Sequence, residues 1–268
     1  MTALKIKEYA DIELLIVNDS PDDIVEIPDI ENIAIDIRVF NNSENQGIQK
    51  TRISGLREAK GDWIVFLDQD DELLPDGFIH SVNECVDGID VIVGNLLYDD
   101  RGNKRKVYKN GKILKHAICL RRFLSIHNMI VSPGQCLIKK ESIPSLWIDN
   151  PMNINGADDY YLWILMFKQS GVFKTVNECV YVHNDNGGEN LSLNLEKMYQ
   201  SCREMYDFLQ NNYVLSDNEL GKLGRCIDFK YFQDTGKLTV DRLVKYLDII
   251  ADNIMYKLLI GIDLICGD

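Results

Sequence analysis

Asp68-Gln69-Asp70-Asp71 puts three carboxylates directly after an apolar run, Trp63 to Leu67. Carboxylates gathered in a cleft need a cation between them. A hard divalent ion, Mg²⁺ or Mn²⁺, takes such oxygens and keeps positions open for substrate phosphates. The bland alternative is an acidic, solvated loop. Position favours the ion, because ligands of open α/β sheets bind beyond the carboxyl ends of strands. Asp19 ends a second apolar run, so Asp19 and Asp68 can line one crevice. Between them, Asn45-Gln46-Gly47 precedes a helical segment carrying Lys50 and Arg52, a tight turn and two cations suited to a diphosphate. Asp158 and Asp159 open another helix, where carboxylates cap free N–H groups and stay ionised. His183 follows a strand and is either plain polar structure or a ligand for metal or phosphate. Neither GxxxxGK[ST] nor GxGxxG occurs, so P-loop hydrolysis and dinucleotide binding lack support.

The elements that must hold these residues follow from pattern. Glu13 to Val17 is apolar without helical period and stops at Asn18-Asp19-Ser20-Pro21, which predicts a buried strand. Asp36 to Phe40, Trp63 to Leu67 and Ile89 to Val93 predict three more. Thr2 to Ala10 suits a helix end. Gln49 to Lys60 reads as a helix with Gly61 as a left-handed stop, and Pro75 to Val86 as a helix with Pro in its first turn. Buried runs separated by helices predict an α/β fold with a mostly parallel central sheet. Leu96 to Tyr108 reads as a hairpin, Asp158 to Ser170 as a helix, and Val172 to Val182 as a strand. Beyond about residue 193 the pattern is helical. Leu195, Met198, Tyr199, Cys202, Met205, Tyr206 and Leu209 share one face. Val240, Leu243, Val244, Leu247, Ile254 and Leu258 share another. The expected organisation is an α/β unit over 1–192 and a helical region over 193–268 packed on it.

Composition removes several classes. With 268 residues, 46% of them hydrophobic, the chain has enough apolar surface for one large domain or two small ones. A net charge of −13 argues against broad nucleic-acid binding. The one basic stretch, Arg101 to Lys115, reads first as a solvated hairpin and second as a patch facing an anionic acceptor or a membrane surface. The cysteines are scattered without CxxC spacing, which argues for reduced thiols, a cytoplasmic setting and no zinc ribbon. Charges interrupt the apolar tail from Leu243 to Cys266, so it should not span a bilayer.

Several of these pieces, taken in order, resemble family 2 glycosyltransferases of the GT-A fold. They are Glu13 to Asp23, Asn45-Gln46-Gly47, Thr51-Arg52, Gly55-Leu56, Ala59-Lys60-Gly61 and Phe66 to Asp71. The family pattern is a strand ending in DDGS, then NxGxxxARNxGLxxAxG, then a strand ending in LDxDD. Ala157 to Trp163 is similar to the family's acidic pair before a Leu-Trp helix. Tyr181-Val182-His183 with Leu191-Ser192 is similar to its closing loop. The resemblance implies a nucleotide-diphosphate sugar donor, with a UDP-sugar favoured, and a glycan or lipid-linked acceptor in surface polysaccharide or glycan synthesis. It implies that Asn18 or Asp19 reads the base and Arg52 contacts the base and diphosphate side. It further implies that Asp68 holds the sugar–ribose region, that Asp70 binds the Mn²⁺ or Mg²⁺ bridging the phosphates, and that Asp159 deprotonates the acceptor. One base and no covalent nucleophile correspond to single displacement with inversion. His183 is a further candidate for the metal shell. The helical tail leaves a peripheral membrane contact at the inner face, or a homodimer, open.

Two departures stand out. Asn18 occupies the first Asp of DDGS, which leaves base preference open, since an amide both accepts and donates. The family also opens with an interior strand of the type SVIIPxYN, and here Met1 falls about where the following helix would run. The expectation is a chain shortened at its start, or weak nucleotide binding, with two strand edges unpaired or forced together. Two rivals follow. A non-catalytic member would bind a glycan or partner. A phosphorelay receiver would use Asp68 as phosphoacceptor, but Pro28 interrupts the helix it needs, Gly94-Asn95 stands where it needs a hydroxyl, and more than half the chain is unused.

Overall fold

The computed structural model describes residues 11–27, 35–185 and 194–265. The expected helix end at 2–10 and the expected boundary at 192/193 lie outside the described residues. The chain opens on β1 (Glu13–Asn18), which pairs in parallel with β2 (Asp36–Asn41). Helix α1 (Ile48–Glu58) packs Ile53 and Leu56 into the core. Gly61 is not its stop: Ala59 already turns extended at φ −65° and ψ 134°. The amides of Lys60 and Gly61 instead donate to Glu13 Oε1 at 2.6 and 2.8 Å, which ties the helix exit to the start of β1.

A second sheet carries the rest. Its members enter as β3 (Trp63–Ile64), β4 (Glu72–Leu73), α2 (Pro75–Asn83), β5 (Val91–Asp100) and β6 (Asn103–Lys106). They continue as α3 (Gly111–Ala117), α4 (Leu120–Ser125), β7 (Cys136–Lys139), α5 (Ser145–Asp149), α6 (Asp158–Lys168) and β8 (Phe173–Asp185). The strand order is β3-β7-β5-β8-β4, with β6 paired to β5. The α/β architecture is the expected one, but the sheet is mixed rather than mostly parallel. Among the described residues only β1–β2 and β5–β8 run parallel, and the ladders β3–β7, β5–β7, β4–β8 and β5–β6 are antiparallel. Burial on both faces does not fix direction, and Val91, Ile92, Val93 and Leu96 of β5 are fully buried beside strands of either sense.

The run Trp63 to Leu67 pairs over only two residues, because β7 offers only Lys139 and Ile138 to it. Phe66 is still buried while Leu67 is exposed. Among the described residues no ladder joins β1 to β3, so the two sheets are separate.

The tail forms α7 (Leu195–Asn211), α8 (Asp217–Asp234), α9 (Val240–Leu243) and α10 (Leu247–Ile265). Helix α7 buries Cys202, Met205 and Leu209 as its pattern predicts. Its Ser201 hydroxyl donates to the Ile154 carbonyl at 2.7 Å and accepts from the Ala157 amide at 2.9 Å, just ahead of α6. Helix α8 starts on a Ser216/Glu219 capping box. The last helix packs differently from its pattern. Val240, Val244, Leu247, Ile254 and Leu258 face outward, and Tyr246, Ile249 and Tyr256 face inward. Asp252 lies on the inward side: it is buried, accepts from Arg121 Nη2 at 2.7 Å, and pairs with Lys222 of α8. Among the described residues no helix is long and apolar enough to cross a membrane.

Candidate active site

Arg52 is the hub. Helix α1 carries it to the carboxyl end of the short β3, where its guanidinium is nearly buried and forks between two carboxylates. Nη1 donates to Asp158 Oδ2 and Nη2 to Asp68 Oδ1, each at 2.8 Å. Residues far apart in sequence meet here because α1 is fastened to the segment before α6. The Gln49 amide donates to the Trp147 carbonyl at 2.8 Å and accepts from the Met152 amide at 2.8 Å. The Trp147 indole donates to the Asp158 carbonyl at 2.8 Å. At the other end of α1, Asn155 Oδ1 accepts from the Ile48 amide at 3.0 Å. Gly47 sits at φ +90°, where a Cβ would come within 2.7 Å of that Asn155 oxygen, so the turn needs glycine on both counts.

Burial alone would make the Arg52 guanidinium easier to deprotonate. The charges of Asp158, Asp68 and Asp159 outweigh it and hold Arg52 firmly protonated. Asp158, its side chain 5% exposed, is the most buried partner of that guanidinium. Asp159 differs. Burial, then the neighbouring Asp158 charge, push its carboxyl up to about 7, against the opposing pull of Arg52. Its oxygens accept from the Tyr160 amide at 2.6 Å and from Asn128 Nδ2 at 2.9 Å. A carboxyl poised there, partly open to solvent, suits proton transfer at neutral pH.

The acidic loop after β3 makes a second cluster. Asp71 is its buried member. It accepts from the Asn184 amide at 2.8 Å, from the Tyr181 hydroxyl, and lies 3.3 Å from His183 Nδ1. Burial would raise the Asp71 carboxyl, but those bonds bring it below the usual range. The hydrogen bond to Asp71 holds His183 above its ordinary range, against burial, with Asp70 and Asp68 adding to the pull. Tyr181 in turn reaches Ser132 Oγ at 3.0 Å. Gly134 faces the Tyr181 ring, where a Cβ would fall 2.4 Å from the ring edge. Asp70 is exposed, and its carbonyl accepts from Asn184 Nδ2 at 2.6 Å.

The sequence candidates therefore fall into two joined groups. Arg52, Asp68 and Asp159 meet around the guanidinium, and Asp70 and His183 lie beside Asp71. Asn18 and Asp19 sit at the end of β1 with their polar atoms engaged locally. Asn18 donates to the Asp23 carbonyl at 2.9 Å and to Asn41 at 3.1 Å, and accepts from the Ser20 amide at 3.0 Å. Asp19 accepts from Asn42 Nδ2 and the Gln46 and Gly47 amides at 2.7, 2.8 and 2.9 Å, so it shapes the turn ahead of α1. Sequence reasoning counted Asp71 among the three carboxylates after β3 but gave it no role of its own, and it missed Asn128. Asn128 follows His127, a half-buried residue at φ +151° with its imidazole packed on the Tyr160 ring, and nothing local signals it. Tyr160 and Trp163 are core residues, 1% and 0% exposed.

Comparison with known proteins bears on this arrangement. The profile of Glycosyl transferase family 2 matches residues 2–147. A Campylobacter jejuni GalNAc(5)-diNAcBac-PP-undecaprenol beta-1,3-glucosyltransferase is 24% identical over 227 residues, 81% of this chain and 71% of that protein. A Haemophilus influenzae glycosyltransferase is 34% identical over 121 residues, 42% of this chain and 47% of that one. Among solved structures, S. aureus TarS 1-349 in complex with UDP-GlcNAc superposes with a TM-score of 0.62 at 17% identity, covering 95% of this chain and 75% of TarS 1-349.

Proposed function

The chain belongs to glycosyl transferase family 2, and on that basis we propose that it moves a sugar from a nucleotide-diphosphate donor, a UDP-sugar first, onto an acceptor hydroxyl with inversion. The acceptor belongs to a glycan or a lipid-linked glycan of the kind used in surface polysaccharide synthesis, reached at the inner face of a membrane from the cytoplasm. The observation that carries this reading is the Arg52 fork: one buried cation joins Asp68 of the acidic loop to the pair Asp158-Asp159. The UDP-GlcNAc bound by TarS and the lipid-diphosphate acceptor in the name of the Campylobacter relative support donor and acceptor class. Residues 1–192 form the transferase unit in this reading, and 193–268 the helical region packed on it.

In the proposed reaction Asp159 takes the acceptor hydroxyl proton as the oxygen attacks the anomeric carbon. The bond from that carbon to the diphosphate oxygen breaks, and its electron pair leaves with the diphosphate. Asp68 holds the sugar–ribose region, and Asn18 and Asp19 border the base. Arg52 supplies positive charge on the diphosphate side and pairs with Asp158, whose charge raises Asp159 toward a working base. The donor set fits Mg²⁺ or Mn²⁺. Asp70 offers exposed hard oxygens, with Asp68 and His183 close enough to interact with one another electrostatically. Among the described residues no three ligating side chains are gathered for a metal. An ion shared with substrate phosphates and water needs only one or two carboxylates. When bound, such an ion neutralises charge developing on the departing diphosphate.

Thermal shift with UDP, GDP and dTDP, each with and without Mn²⁺, tests the donor. Saturating UDP with Mn²⁺ should raise Tm by roughly 5 °C, and Asp70→Ala should remove the Mn²⁺-dependent part. No response to any of the three would favour the non-catalytic rival. Asn128 gives a second test. Its hydrogen bond favours the charged form of Asp159, so Asn128→Ala should move the acidic limb of the pH–rate profile up by about one unit from near 7. A lower rate with an unmoved limb would make Asn128 merely structural.

A further inference from the structure

The hairpin edge that flanks the acidic crevice carries charge of the opposite sign. Arg101, Lys104, Arg105, Lys106 and Lys109 put five cations into nine residues without an acid, in a chain whose net charge is −13. All four residues of β6 are exposed, and among the described residues β6 pairs with β5 alone. Among the described residues, acids from neighbouring elements meet only part of this charge: Lys104 lies 3.7 Å from Glu72 and 3.9 Å from Asp99. Lys106 donates to the neutral Asn177 amide at 3.2 Å, and the Arg105 guanidinium lies over the Tyr98 ring at 5.2 Å.

Lysines on an edge strand can simply block edge-to-edge pairing. That does not account for the row running inward from Arg105. Register places Arg105 opposite Tyr98, and Tyr98 opposite His183, so all three share one face of the sheet. The rings of Tyr98 and His183 are 5.6 Å apart, and His183 Nδ1 is 3.3 Å from Asp71 in the acidic loop. Arg105 therefore stands two strands from the crevice, roughly 10 Å across the sheet. A guanidinium stacked on an aromatic ring is held in place as a planar donor to a phosphate.

We propose that β6 and Tyr98 form the docking surface for an acceptor that carries phosphate, holding its anionic part while the reacting hydroxyl sits at Asp159. This rests on the transferase reading above and narrows its acceptor to a phosphate-bearing one. The cations on the edge also attract such a chain at long range and repel none of its parts, whereas the rest of this acidic protein would repel it.

The test uses fluorescently labelled inorganic polyphosphate and anisotropy on the full chain. Binding should weaken by about tenfold between ~50 and ~200 mM salt, as expected for a few phosphate contacts. K104E/R105E/K106E should weaken it at least tenfold. K245E/K257E, which changes charge on the exposed face of the helical region, should bind as the parent does. Unchanged binding in the triple variant, or equal loss in both variants, would overturn the proposal. So would binding to phosphatidylglycerol vesicles with none to polyphosphate, which would assign the surface to lipid. The UDP thermal shift run on the same samples separates the two readings. A chain that responds to UDP and ignores polyphosphate sinks this proposal alone. A chain that binds polyphosphate through β6 and ignores every nucleotide diphosphate sinks the transferase reading and leaves the anion surface standing.

Discussion

Asp159→Asn should lower kcat by roughly 10³-fold, the scale of a lost general base, while the UDP-dependent thermal shift persists. The amide keeps the size of the carboxylate and its bond from the Tyr160 amide, so donor binding on the Asp68 side is undisturbed. The parent rate should rise with pH through about 7, since only the ionised carboxyl accepts a proton. The same substitution should stabilise the protein. The Asp159 carboxyl is raised from an ordinary 3.8 to about 7. Its contribution to stability is therefore complete below pH 3.8 and is lost as pH rises through 7. Asn cannot ionise, so its advantage grows over that window and is level above it. Three units set a ceiling of about 4 kcal/mol, and the bond from Asn128 Nδ2 is lost because the new amide presents a donor there. A net gain on the order of 2 kcal/mol, or ~4 °C in Tm, is expected at pH 8 and none at pH 4. Melting curves at the two pH values check it. Equal Tm for parent and variant at both would show that Asp159 is an ordinary exposed carboxylate.

The link between Asp159 and the acidic loop through Arg52 was only partly legible in the sequence. Helices α1 and α6 and the β5–β6 hairpin followed from apolar period and turn residues; β1 and β2 also form where expected, but none of their residues is fully buried, so the expected buried strand at Glu13 to Val17 is a half-exposed one. Sheet direction did not follow. An apolar run covered on both faces carries no information about the sense of its neighbours, and β7 inserts antiparallel between β3 and β5. The last helix misled for a related reason. Its apolar stripe is a good amphipathic pattern, yet the face carrying Tyr246, Ile249 and Tyr256 packs inward, with Asp252 on that side held by Arg121 and Lys222. Contacts between distant segments leave no mark in a window of sequence.

The site shows the same division. The types of Asp68, Asp70 and Arg52 and their places after a strand and on a helix suggested a crevice. The partners of Asp71, Tyr181 and His183, stand 110 and 112 residues away, and only the β4–β8 ladder brings them alongside. Asn128 is harder still: an irregular segment with a left-handed His127 delivers it, and neither residue is set apart by its type. The family profile ends at residue 147, ahead of both acidic residues of α6.

Arg52→Ala should be the most damaging single change to the fold of the site. Asp158 has a side chain only 5% exposed, and Arg52 is its guanidinium partner. Removing one member of a buried pair leaves a desolvated charge, which costs about 3–5 kcal/mol, or roughly 10 °C in Tm. Arg52→Lys should recover little, since one ammonium cannot make the two-branched contact to Asp68 and Asp158. Adding Asp158→Asn to Arg52→Ala should restore stability, because the orphaned charge goes with it. The double variant would therefore be more stable than the Arg52 single variant, which simple loss of packing would not produce. Chemistry should respond in a separate direction. Arg52 lowers the Asp159 carboxyl and Asp158 raises it. Arg52→Ala should accordingly push the acidic limb of the rate profile above 7, and Asp158→Asn in the same background should bring it back. A set of variants whose stability changed while the limb stayed fixed would separate Arg52 from the base and confine it to the donor side.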